Sequence, residues 1–204
     1  MFFKSRYPVI ALCVVLALVV IAGLVSLGGG GSRSPSVSSG TGPVIAEFQL
    51  EDQKGAPFRK ADVLGKPSAL FFGFTNCPDV CPTMLASITG YLGKLGPDAD
   101  RINVVFVSVD PERDTSSVID AYLSGFDPRI RGITGQKPEL DKLTKSLGIY
   151  YAKVEAGGAS YSVDHSALIV LLDSKGQFFG TIAYDEGADV ALMKLKRLAD
   201  EGYR

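Results

Sequence analysis

An unbroken apolar run lies near the start of the chain. From Val9 through Leu27 every side chain is apolar or small and none is charged. About 20 such residues in helical form cross the ~30 Å hydrocarbon core of a bilayer. Lys4 and Arg6 precede the run and Arg33 is the first charge after it. That excess of basic charge predicts a cytoplasmic N-terminus and an exported remainder. A cleaved signal peptide is the rival, but its apolar region is shorter, about 7–15 residues, and ends in a small-x-small site. This run is longer and ends VSLGGGG, which favours an uncleaved single-pass anchor. An Arg/Ser-rich amphipathic transit segment is missing, which points to a bacterial inner membrane rather than a mitochondrion. The following stretch, GGGGSRSPSVSSGTG (28–42), has one aliphatic and no aromatic side chain. It cannot bury enough surface to fold, and as a Gly/Ser tether it spans roughly 20 Å. The expected organisation is a cytoplasmic N-terminus (1–8), a transmembrane anchor (9–27), a flexible linker (28–42) and a periplasmic folded domain (43–204).

Within 43–204 the pattern shortens to strand and helix lengths. VIAEFQL (44–50) and a short run near Pro57–Phe58 flank EDQKG, with Gly55 where a turn needs positive φ, and predict an N-terminal hairpin. SALFFGF (68–74) and NVVFVSVD (103–110) are continuous apolar runs of strand length, as buried strands are. Leu85, Ile88, Leu92 and Leu95 recur at helical spacing after Pro82, expected in the first helical position, and Gly96–Pro97 closes that helix. PERDTSSVIDAYLSGF predicts a short helix capped by Asp114 or Thr115. PELDKLTKSLG (138–148) predicts a helix closed by Gly148, and IYYAKVEA (149–156) a strand. ALIVLLD (167–173) and QFFGTIAY (177–184) predict a hairpin turning at SKG, followed by an amphipathic helix over 189–202. Strands alternating with helices and closing on a hairpin and a helix imply an α/β layer structure, specifically a thioredoxin-like domain with an N-terminal β-hairpin extension.

Charge narrows the partners. Of 21 Lys/Arg three precede residue 43, whereas all 22 Asp/Glu follow it, which leaves the folded part at a formal −4. An acidic domain lacks the basic patches that nucleic acid requires.

Chemistry concentrates in FFGFTNCPDVCPTML (71–85). The chain has three cysteines and one histidine. Cys13 lies in the apolar run and reads as a small membrane residue. Cys77 and Cys81 sit at a strand-to-helix turn, where open α/β sheets build their sites. Backbone N–H groups at a helix start favour thiolate, which is both nucleophile and metal ligand. A structural disulfide would gain little from closing so short a loop. His165 directly precedes the strand at 167–173, where thioredoxins carry a cis-proline facing the cysteine turn. Two thiolates and one imidazole suit Cu(I), and Cu(II) binds such N/S ligands as well. Zinc fits the same ligand types, with copper ahead in intrinsic affinity. Asp79 between the cysteines is a solvated loop residue or a weak extra ligand. Asp164 beside His165 could orient the ring as outer carboxylates do, though neighbours on a strand point to opposite faces. The charges of DPERDT (110–115) read as a helix-capping turn with local ion pairs, near the site. A dithiol oxidoreductase using Cys77 and Cys81 stays open as an alternative, although such enzymes favour a two-residue spacing. A peroxidase is weaker, since Thr75 stands only two residues before Cys77.

GFTNCPDVCPTML, SVDPERDT and VDHSALIVLLD together resemble the Sco/SenC proteins, the copper-delivery factors for cytochrome c oxidase. The order and spacing agree along the whole exported part, including FQLEDQKG and DVLGK, and the anchor and tether are similar too. The resemblance implies a thioredoxin-like domain binding one copper ion, Cu(I) or Cu(II), through Cys77, Cys81 and His165. It implies a metallochaperone rather than an enzyme, acting in assembly of the dicopper CuA centre of oxidase subunit II or on a similar copper-accepting membrane protein. A periplasmic copper donor and a thioredoxin-like reductant are the further partners it suggests. Family members either hand over copper or reduce the target's cysteines.

Overall fold

In the computed structural model, residues 42–155 and 161–203 are described. Among them no helix is long and apolar enough to cross a membrane; the expected anchor and most of the linker lie outside these residues. The elements run β1 (Gln49–Asp52), β2 (Pro57–Arg59), α1 (Lys60–Val63), β3 (Ser68–Gly73), α2 (Val80–Leu95), β4 (Asn103–Ser108), α3 (Ser116–Leu123), β5 (Ile130–Thr134), α4 (Lys137–Ser146), β6 (Tyr151–Glu155), β7 (Tyr161–His165), β8 (Leu168–Leu172), β9 (Phe178–Ala183) and α5 (Ala188–Glu201). A 3₁₀ turn, Gly96–Arg101, follows α2. Seven strands form one sheet in the order β2-β1-β5-β4-β3-β8-β9, and β6 and β7 form a separate two-stranded sheet.

The two long apolar runs become the middle of the sheet. β3 and β4 pair in parallel from Ser68↔Asn103 to Gly73↔Ser108. Every residue of β3 is buried, and all of β4 after Asn103. Phe71, Phe72 and Phe106 are at most 1 % exposed, and each such ring stabilises the core by roughly 1.5–3 kcal/mol. On its other side β3 pairs antiparallel with β8, but only as far as Phe71↔Ile169. The carboxyl end of β3 therefore continues past that ladder, and α2 starts beside it. Cys81, Met84, Leu85, Ile88, Leu92 and Leu95 are the buried residues of α2. This is the thioredoxin-like arrangement that the pattern predicts, with the β1–β2 hairpin joined at the sheet edge through β5.

Several details differ from the expectation. The first hairpin arm begins at Gln49; Val44, further back, makes an isolated bridge to Gln177. Helix α2 begins at Val80, so Cys81 is its second residue and Pro82 its third. The missing proline N–H is still among the four a helix start leaves unpaired. Thr115, not Asp114, caps α3, accepting from the Val118 N–H. Strand β5 was not foreseen because Arg131 and Gly132 interrupt its apolar pattern. A Cβ at Gly132 would lie 2.2 Å from Ile119 Cγ2, so the helix packing there dictates the gap. Strand β7 was not foreseen either. His165 is its last residue, paired with Tyr151 of β6.

Candidate metal centre

Three segments build the site: the turn after β3, the first turn of α2 and the end of β7. Their side chains Cys77, Cys81 and His165 bring one ligand atom each to within 4.8 Å of one another. Both cysteines are free thiols. Cys77 is half-buried, and its sulfur accepts from the Cys81 N–H at 3.4 Å. Its own N–H donates to the Phe74 carbonyl at 3.3 Å, which closes the turn. Cys81 is fully buried. Space for its sulfur comes from Gly73, where a Cβ would approach Cys81 Sγ to 2.9 Å. No positive φ is needed there; the close approach alone excludes a side chain.

His165 Nε2 lies 3.5 Å from Cys81 Sγ, and Nδ1 lies 3.2 Å from the Ser166 carbonyl. A carbonyl only accepts, so Nδ1 carries the proton and Nε2 presents a lone pair to the sulfur. Burial holds the imidazole below its ordinary value, against upward pushes from the Ser166 carbonyl and the Asp164 charge. The ring is thus neutral at pH 7, as a metal ligand must be. The helix-start argument fails for Cys81. Burial pushes its thiol well above the ordinary value and outweighs the backbone hydrogen bond at Phe74, and Cys77 and Asp114 add to the rise. Burial thus favours the protonated thiol, and binding of a cation as thiolate requires that this proton leave.

Asp79 is exposed and is the N-cap residue of α2, but its side chain does not cap the helix; it accepts from the Thr83 hydroxyl at 3.4 Å. Asp164 is exposed, and orientation of the ring falls to the Ser166 carbonyl rather than to this carboxylate. The surprise is DPERDT. Asp110 and Asp114 are buried. Asp114 accepts from the Thr75 N–H (2.9 Å), the Thr75 hydroxyl (2.6 Å) and the Ser108 hydroxyl (2.6 Å), and so ties the cysteine turn to β4. Asp110 accepts from the Tyr161 hydroxyl at 2.7 Å and pairs with Arg113. Burial, then that bond, pushes the Tyr161 hydroxyl up to about 12. Sequence reasoning missed Gly73, Phe74 and Tyr161. The position of DPERDT at a strand end was the available signal for its role, but burial of both carboxylates is not visible in one dimension.

Two thiols and a neutral imidazole converging at one rim suit a soft, low-coordinate cation such as Cu(I). Among solved structures, Bradyrhizobium japonicum ScoI with copper bound superposes with a TM-score of 0.71 and 42% identity, over 76% of this chain and 99% of that one. The Saccharomyces cerevisiae mitochondrial protein SCO2 is 39% identical over 145 residues, 68% of this chain and 48% of that protein. The Rickettsia felis SCO2-like protein is 36% identical over 134 residues, 65% of each. The matched part is thus about half to two-thirds of these curated relatives' length. A family model described as SCO1/SenC matches residues 37–200. With that match spanning the cysteine turn, the DPERDT loop and the histidine strand alike, the chain belongs to the SCO1/SenC family.

Proposed function

We propose that this chain is a membrane-anchored copper metallochaperone. It binds one copper ion through Cys77, Cys81 and His165 and supports assembly of the CuA centre of cytochrome c oxidase subunit II. The observation that carries the reading is the convergence of these three ligand atoms within 4.8 Å. Copper is cargo in this scheme. The half-buried Cys77 is the ligand an incoming partner thiolate reaches first, whereas the buried Cys81 lets go last. Release by stepwise ligand exchange avoids a free ion. A single-pass anchor at 9–27 and the tether at 28–42 keep the domain on the periplasmic side, beside a membrane-bound acceptor.

The test is a Cu(I) competition titration of the reduced full chain in detergent. One equivalent bound tightly, and at least ~10-fold more weakly after His165→Ala, is the expected result. Binding indifferent to His165 would remove it from the ligand set.

The pair of free thiols, with the Cys81 N–H aimed at Cys77 Sγ, also favours a second reading: a thiol–disulfide oxidoreductase that reduces the target's cysteines. Full oxidase assembly by a His165→Ala strain, with loss on either Cys→Ser change, would favour it over copper delivery.

A further inference from the structure

Strands β6 and β7 lie outside the main ladder. Among the described residues no backbone–backbone hydrogen bond joins either strand to the seven-stranded sheet. His165 sits on β7, yet it must meet sulfurs carried by the turn after β3 and by α2. Beyond the short link from His165 into β8, side chains hold the hairpin against the cysteine turn. We propose that Arg113 is the positioning residue of the metal centre: anchored on buried Asp110, its guanidinium clamps β7 and Phe74 so that His165 faces Cys81.

Each link is a contact. Arg113 Nε pairs with Asp110, whose side chain is fully buried. Nη1 donates to the Tyr161 carbonyl at 3.0 Å, on the first residue of β7. The guanidinium plane stacks 3.7 Å from the Tyr161 ring centre, and the Tyr161 hydroxyl returns to the same Asp110 at 2.7 Å. On its other side Arg113 lies 5.8 Å from the Phe74 ring, and Phe74 meets the His165 ring edge-on at 5.9 Å and 90°. Phe74 is also the residue whose carbonyl closes the Cys77 turn. One loop thus holds both arms of the site: Asp114 fixes the cysteine arm through Thr75, and Arg113 fixes the histidine arm through Tyr161 and Phe74. A flat guanidinium that donates along its edge while stacking on its face does what a lysine ammonium cannot.

The proposal rests on His165 being a copper ligand, so its test separates the two. His165 is the sole histidine, so its ring gives one set of NMR signals in the metal-free full chain. With the ring centres 5.9 Å apart, the parent protein should show an NOE between the His165 and Phe74 rings. Arg113→Met should abolish it, leave the β3 and β4 amide shifts in place and weaken Cu(I) binding ~10-fold. Arg113→Lys should not restore either readout. Because Arg113→Met strands a buried carboxylate, the double variant Asp110→Asn/Arg113→Met is measured alongside and should behave the same. An NOE kept in the folded variants, or Cu(I) affinity unchanged while the NOE is lost, overturns the proposal. His165→Ala judges the ligand reading separately: affinity unmoved by that change sinks the copper site itself, whereas the NOE still reports whether Arg113 places the ring.

Discussion

The central strands and the β6–β7 hairpin are built on opposite terms. β3 and β4 are buried almost throughout, and each is laddered on both sides. Among the described residues of the two hairpin strands only Val163 is fully buried, and the ladder has two strands. Two-stranded hairpins are marginal by themselves in water. Yet the site takes its sulfurs from the turn and helix that follow β3, packed on the first region, and its imidazole from the second. A centre divided in this way joins a firmly packed arm to a weakly packed one. Local opening free energies differ between such regions, and ligand-exchanging elements are drawn from the weaker one.

The comparison can be broken most forcefully in the core. Phe106 is completely buried against Phe71 and Tyr122. Phe106→Ala should cost about 3–5 kcal/mol in urea unfolding of the full chain. Val154→Ala, at a site 40% exposed on the hairpin, should stay within ~0.5 kcal/mol. Similar losses from both would mean that the hairpin belongs to the same cooperative core.

A smaller effect is expected where the two regions meet. Gly73→Ala places a methyl 2.9 Å from Cys81 Sγ and 3.0 Å from Phe106. Overpacking of this kind costs about 1–3 kcal/mol, and the sulfur must shift away from its position. Reaction of Cys81 with a small alkylating agent should speed up relative to Cys77. An unchanged ratio would show that the core absorbs the methyl without moving the sulfur.

The smallest effect concerns acid. The Tyr151 hydroxyl, then Lys137, hold the Asp141 carboxyl below its ordinary value, against some burial, and the hydroxyl's bond to Asp141 ties β6 to α4. A depressed carboxyl contributes stability that is complete above its unfolded value, about 3.9, and is lost as pH falls through the lower folded value. Hydrogen-exchange protection of Tyr151–Glu155 should hold steady from neutral pH to about pH 5 and then fall below about pH 4, ahead of β3 and β4. Asp141→Asn should flatten that dependence. Equal loss in hairpin and core would show that the Tyr151–Asp141 contact does not anchor the hairpin on its own.

Much of this division was legible beforehand. SALFFGF and NVVFVSVD announce central strands because a strand buried on both faces has no polar alternation to show. Leu85, Ile88, Leu92 and Leu95 announce α2 because one helix face is buried. YSVDH conceals β7, since a short, half-exposed hairpin strand with one buried valine looks like loop. IRGIT conceals β5, since Gly132 answers to the α3 side chains above it and not to any strand preference.

The sequence by itself determined that Cys77 and Cys81 share a strand-to-helix turn and that one histidine precedes a late strand, because neighbours along the chain stay neighbours in local structure. The tertiary fold alone decided that His165 Nε2 lies 3.5 Å from a sulfur 84 residues away. It also decided that burial raises the Cys81 thiol, and that Asp110 and Asp114 turn inward instead of capping a helix. Those outcomes depend on burial and on through-space contact. Both are properties of how the elements pack, and the order of residues carries them only indirectly.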